Sequence, residues 1–195
     1  MRPPERSPER DAAIEALLPW VSMDGWTLPA LVRAAGPDTD LLFPGGAADL
    51  VEAYIDLADR WMMEDAAAIP MDGLGLPGRV RAVLAARFER NAPYKAAVQR
   101  GMGVLAMPGN AVLAARTAAR TVNAIWYAAG DKSADFSWYT KRAVLAGVYG
   151  TTLLYWLRDE SENDTATLAF LDRRLHGIGR LGRVRRWMRR ARAGA

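Results

Sequence analysis

Few residues in this chain could do chemistry. None of the 195 residues is a cysteine, so there is no thiol nucleophile, no disulfide and no thiolate cage for zinc. The single histidine, His176, sits at the edge of a glycine-rich stretch, and one imidazole does not make a histidine-built metal site. A di-iron bundle requires two Glu-x-x-His motifs, and the chain has none. No clustered carboxylate motif replaces them, so a small-molecule enzyme has little to stand on, and neither a metal nor a catalytic cofactor is expected.

The residue types that remain are those of binding. On a helix Trp138, Arg142, Leu145, Tyr149, Thr152 and Trp156 share one stripe. Trp138, Tyr139 and Arg142 cluster at one end of that helix. Trp, Tyr and Arg are over-represented at binding hot spots, although the two aromatics could equally be ordinary core. Asp135 lies three residues before Trp138, where its charge suits a helix N-terminus and could hold Arg142. Another face carries Ala143, Ala146, Gly147 and Gly150, small residues that let a second helix approach within a bundle or across a two-fold interface. The uncharged run from Ala143 to Leu157 can be core, a subunit interface or the wall of an apolar pocket. It implies a helix covered on most sides. It falls short of the roughly 20 apolar residues of a membrane span. The opening "MRPPERSPERD" does not read as a secretion signal.

The elements that must position these residues are all helical. Alanine is abundant, Pro and Gly fall between periodic segments, and no run alternates as a strand would. Ser7 and Pro8 open a helix to about Trp20, and Thr27 caps a short one ending near Gly36. Pro37 to Phe43 is at most two turns. "PGG" at 44–46 precedes a helix of about 47–65. "IPMDGLGLPG", Ile69 to Gly78, reads as a linker. Helices of about 78–91, 93–106, 110–129 and 134–158 follow, and Asn163 or Asp164 can cap another to His176. This divides the chain into a helix-turn-helix-like unit at 8–66, a helical domain at 76–177 and a terminal basic helix at 178–195.

Charge separates the units. Residues 1–60 hold 5 basic and 11 acidic side chains, whereas residues 161–195 hold 9 and 3. The front resembles the N-terminal domain of TetR-type regulators: helix, short helix, "AAG" turn, short segment, aromatic, then a Leu-rich helix. In that family the segment after the turn reads DNA and a lysine follows the aromatic. Here it is Pro37 to Phe43, with Asp38 and Asp40 and no cation, and Gly45-Gly46 stands where the lysine would be. Duplex binding draws most of its affinity from protein cations. A ligand-responsive transcriptional regulator is thus the alternative function, and a helix-turn-helix used as scaffold is the reading preferred. No nucleic-acid partner is expected.

The tail, Ile178 to Ala195, reads as a basic amphipathic helix. Leu181, Val184, Trp187 and Met188 share its apolar side, and Arg185 and Arg189 lie among the arginines of the other. Such a helix suits an anionic membrane surface, with nucleic acid and a merely solubilising tail as competing readings.

One further likeness is specific. "DFSWYTKRAVLAGVYGTTLLYWLRDESEND…FLDRR", with "LLPWVSMDGWT", "LFPGGAADLVE" and "MPGNAVLAARTAARTVNAIWYAAGD" in the same order, resembles the ubiquinone-biosynthesis accessory family known as coenzyme Q protein nine, over about residues 10–176. The resemblance implies an all-α, TetR-like fold, a homodimer, and a protein that binds lipid rather than DNA and is not itself an enzyme. It implies presentation of an isoprenoid quinone precursor to demethoxyubiquinone hydroxylase, a di-iron enzyme at the membrane. Carried onto this sequence, the partner-binding residues are Asp135, Trp138, Tyr139 and Arg142. An isoprenoid or phospholipid tail would lie among apolar positions of the later helices, for which Leu105, Met107, Val112, Leu113, Ile125, Trp126, Val148 and Leu153 are candidates. Each of these is equally a core position by periodicity. The expected location is cytoplasmic, peripheral on the inner membrane face, with the arginine-rich tail, richer in Arg than the family's, as the contact.

Overall fold

The computed structural model describes residues 3–130 and 138–176, with side chains in the second segment from Thr140 onward. Among these residues there is no strand. The helices are α1 (Pro8–Leu17), α2 (Val21–Asp24), α3 (Leu28–Ala35), α4 (Ala47–Ala68), α5 (Leu76–Asn91), α6 (Lys95–Leu105), α7 (Ala111–Ala128) and α8 (Trp138–Trp156). A ninth, α9, covers 165–176.

Local chemistry sets most boundaries. Ser7 accepts from the Arg10 amide, and Pro8 opens α1. The helix expected to reach Trp20 ends at Leu17, and Leu18–Trp20 tightens into a 3-10 turn containing Pro19, which has no amide hydrogen to give. Thr27 caps α3 by accepting from Ala30 N. Gly36, at φ 104°, ends it in a conformation other residues avoid. Between Gly36 and α4 the chain makes only a 3-10 turn, Thr39–Leu42, entered through Asp38 at φ 64°. A Cβ on Gly45 would stand 2.9 Å from that of Asp49, too close for an ordinary side chain, and Gly46 has open space around it but sits at φ 61°, a conformation other residues rarely adopt.

α4 is the central post. Its 22 residues span about 33 Å. It packs against α1, α5, α6 and α7. Its buried stripe joins two hydrophobic clusters. Leu50, Val51, Tyr54, Leu57 and Trp61 belong to the first, with α1, α3 and Phe43. Met62 and Ala66 belong to the second, with α5, α7, α8 and Leu171 of α9. α6 contributes Ala97 and Leu105 to the first cluster, and the Trp26 indole donates to Ala97 O at 2.9 Å.

Two expectations need correcting. α9 is not capped by Asn163 or Asp164. Asp159 accepts from Thr167 N at 2.7 Å and Ser161 Oγ from Ala166 N at 3.0 Å. Asp164 instead ties Lys95, at 2.9 Å, to the Trp156 indole, at 2.8 Å. Nor is α8 covered on most sides by the described residues. Val144, Leu154 and Tyr155 are exposed, because the described helices pack only on its Leu145–Val148–Thr152–Trp156 side and Phe170 of α9 covers just one edge by stacking on Tyr155.

Candidate functional site

Helices α4 to α8 do not close completely on one another. A cavity of about 370 Å³ lies between them. This is within the usual range of small-molecule sites, roughly 300–1,000 Å³. The wall residues explain the space. Ala58, Gly101, Ala114, Ala118, Ala146 and Gly150 are small where neighbouring turns carry large side chains, so the backbones meet the cavity with little to fill it. Val51, Val98, Met102, Leu105, Phe88 and Leu153 complete an apolar lining.

One end of the cavity is polar. Arg87 of α5 is buried there and pairs with Asp59 of α4 at 2.7 Å. Its Nη1 also donates to Ala58 O, and its Nε donates to the Tyr149 hydroxyl at 3.2 Å. Thr121 donates to the other Asp59 oxygen at 3.0 Å. The Tyr54 hydroxyl donates to Asn91 Oδ1 at 2.6 Å, and Asn91 Nδ2 donates to Arg87 O. Burial pushes the Asp59 carboxyl above its ordinary range, against the pull of Arg87 and Thr121. Burial likewise works against the charge of Arg87, but Tyr149 and Asp59 outweigh it and the guanidinium stays charged. Burial raises the Tyr54 phenol, which keeps its proton. These groups form no acid–base pair aimed at open space. The arrangement is a polar wall on a mostly apolar cavity, in which Asp59 Oδ1 has the Arg87 charge beside it but no hydrogen bond.

The sequence candidates fall in several places. Leu105 and Leu153 line the cavity. Leu113 packs beside the first cluster, and Ile125, Trp126 and Val148 lie inside the second. Met107 and Val112 face outward, 57% and 79% exposed. Arg142 is half-buried and donates from Nε to Asn123 Oδ1 at 2.5 Å, which ties α8 to α7. Asp135, the side chains of Trp138 and Tyr139, and the tail positions Leu181, Val184, Arg185, Trp187, Met188 and Arg189 lie outside the described residues.

Sequence reasoning passed over Asp59, Arg87 and Asn91. A signal was there. Val80, Val83, Leu84, Arg87, Phe88 and Asn91 form one buried helical stripe, so a cation and an amide stand on an otherwise apolar face. Asp59 interrupts the stripe of α4 in the same way. Such positions demand a buried polar partner.

The front shows where its cations go. Arg6 pairs with Asp56, Arg10 with Asp49, Arg33 with Asp24, and Arg60 with Asp11 and Asp56, all between 2.6 and 3.2 Å. Every described basic residue in the first 60 is therefore committed to a carboxylate. Among the described residues no group of acidic or histidine side chains is arranged to hold a metal, and no helix is long and apolar enough to cross a membrane.

Comparison with known proteins agrees with this division. A TetR transcriptional regulator from Nitrosomonas europaea superimposes with a TM-score of 0.70 over 87% of this chain and 97% of its own, at 23% identity, a likeness of fold alone. The COQ9 family model matches residues 111–182. The ubiquinone biosynthesis protein COQ9 of Xenopus tropicalis is 38% identical over 96 residues, which cover 49% of this chain and 30% of that protein. The matched stretch thus spans under a third of that relative's length. Its Drosophila melanogaster counterpart is 32% identical over 85% of this chain and 54% of its own. The Schizosaccharomyces pombe protein is 30% identical over 88% of this chain and 70% of its own length. With a TetR-like, all-α frame and a relative of that identity matched over more than two thirds of its length, the chain belongs to the COQ9 family.

Proposed function

We propose that this protein is a lipid-binding accessory factor of ubiquinone biosynthesis, not an enzyme, and that it presents an isoprenoid quinone precursor to demethoxyubiquinone hydroxylase at a membrane. The observation that carries the reading is the apolar cavity of about 370 Å³ between α4 and α8. A hydrocarbon chain drawn from a bilayer needs a second apolar surface, or it meets water and loses the free energy of burial. The cavity offers such a surface. Relatives in several organisms are named ubiquinone biosynthesis proteins and mitochondrial. Chemistry would belong to the partner, whose contact would include Asp135, Trp138, Tyr139 and Arg142. The exposed side of α8, with Val144, Gly147 and Leu154, suits a second copy of the chain. Residues 178–195 would lie on an anionic membrane as a peripheral contact, on its cytoplasmic face.

The transcriptional alternative gains nothing from the paired cations of the front. A low-salt gel shift checks it, and sequence-selective retardation would revive it. Native mass spectrometry of the purified full chain tests the lipid reading directly. A co-purified apolar ligand is expected in the wild type and should be lost when Ala118, on the cavity wall, is replaced by Leu. A wild-type protein free of any such ligand, and unable to take one from vesicles, would remove the main support. Arg142→Ala should weaken capture of the hydroxylase while helix content is unchanged.

A further inference from the structure

The cavity's polar end has two neighbouring hydrogen-bond donors that the described residues leave unused. Among the described residues, Arg87 uses Nε and Nη1 in hydrogen bonds and Nη2 in none. The Tyr149 hydroxyl accepts from Arg87 Nε, which leaves its own proton without an acceptor there. Both side chains line the cavity. The other hydroxyl and indole donors of the lining are spent: Tyr54 on Asn91, Thr117 on the carbonyls of α7, Thr121 on Asp59 and Trp156 on Asp164. Asn91 uses one amide hydrogen on Arg87 O. Arg87 Nη2 and the Tyr149 hydroxyl are therefore two adjacent donors with no acceptor among the described residues.

Charge decides what they can take. Arg87 is the only ionisable cation or anion among the lining residues, and Asp59 behind it already balances it at 2.7 Å. An ionised carboxylate or phosphate entering this end would be a second anion for one cation, buried among apolar side chains, and such a charge is costly. A neutral oxygen brings no such cost, and it would otherwise be desolvated without a partner.

Resting on the reading that the cavity holds an apolar ligand, we propose that Arg87 Nη2 and the Tyr149 hydroxyl form a head-end subsite for a neutral acceptor oxygen, such as a quinone carbonyl or an aryl ether. The ligand then enters head first, with its ring against Arg87 and Tyr149 and its tail along Val98, Met102 and Leu105. Tyr149 and Arg87 select for the head, and the small residues of α6 to α8 accept any hydrocarbon.

Equilibrium dialysis of the full chain against three probes tests this. They are a decyl-substituted dimethoxybenzoquinone, a decyl-substituted tetramethylbenzene and 4-decylbenzoate. Tyr149→Phe should weaken quinone binding about fivefold to tenfold and leave the hydrocarbon unchanged. The Arg87→Gln/Asp59→Asn double variant, which leaves no buried charge unpaired, should do the same. It serves as the second test if either single change at that pair unfolds the protein. Quinone and hydrocarbon affinities that stay unchanged in folded variants, or fall together, would overturn the subsite and leave lipid binding intact. So would benzoate binding as tight as the quinone's. Failure of the wild type to bind quinone or hydrocarbon would overturn both the subsite and the cavity's role.

Discussion

Among the described residues the protein buries two arginines, one in each half, and they serve opposite ends. Arg10 in the front lies over the Phe43 ring, with its guanidinium carbon 4.2 Å from the centroid, donates to Leu42 O and pairs with Asp49 at 2.7 Å. Arg87 in the back lies 5.6 Å from the Tyr149 centroid, donates to Ala58 O and pairs with Asp59 at 2.7 Å. The local chemistry is nearly the same. The surroundings differ. Around Arg10 the chain is closed, and the arginine pins the turn that stands where a reading helix would be. Around Arg87 the helices stand apart and the arginine forms a wall. In one half a buried cation staples a surface shut, and in the other it furnishes the end of a cavity. A shared helical frame therefore says little about which half binds anything. The answer lies in whether the helices around a buried charge meet or stand apart.

The largest effect should come from Arg87→Met. Removing one partner of a buried ion pair and leaving the other costs about 3–5 kcal/mol. Asp59 is the partner left behind, and its side chain is 9% exposed. The loss should depend on pH. Burial already raises the Asp59 pKa, and without Arg87 it rises further. A group whose folded pKa lies above its unfolded value, about 3.9, stabilises most below that value and loses its contribution as pH rises through the folded pKa. Urea unfolding should therefore show the gap between variant and wild type narrowing toward pH 4 and widening toward neutrality. A gap independent of pH would mean that Asp59 finds water.

Arg10→Met should cost less, about 1.5–3 kcal/mol, the range for hydrogen bonds to a charged group. Asp49 is 20% exposed and can rehydrate when its partner leaves. Equal losses at the two arginines would erase the contrast between the halves.

Much of this architecture could be read in advance, because capping and breaking residues act locally. Ser7, Thr27, Gly36 and "PGG" each did what their chemistry requires. The turn at Thr39–Leu42 was foreseeable from its length, and its lack of cations from inspection. The cavity was less visible. Apolar periodicity marks a face as inward and does not say whether that face meets another. Leu105 and Leu153 line the space, while Ile125 and Val148 with the same pattern are packed solid. What separates them is the placement of Ala and Gly on the helices opposite, a relation between elements distant in sequence. The polar wall was written more plainly, as Arg87 and Asp59 on apolar stripes. Its meaning depended on the two helices standing side by side, which no single helix discloses.

The smallest predicted effect concerns the hinge between α8 and α9, where the back half is tied off. Asp159 accepts from the amides of Ser161 and Thr167 and from the Thr167 hydroxyl. Its modest burial opposes the charge, but these hydrogen bonds win and hold the carboxyl down at about 2. The sign follows. A depressed folded pKa contributes stability that is present above the unfolded value, about 3.9, and is lost as pH falls through 2. Asp159→Ala should cost about 1 kcal/mol at pH 7, the ordinary worth of a helix cap. Its penalty should fade below pH 4. Lys95 reaches the same corner by donating to Asp159 O and Asp164, so the backbone there is held even without the cap. Hydrogen exchange should accordingly show faster opening at the Thr167 amide, with α8 amides such as that of Thr152 unmoved. Accelerated exchange along α8 as well would mean that the cap, and not Lys95 and Trp156, holds the back half closed.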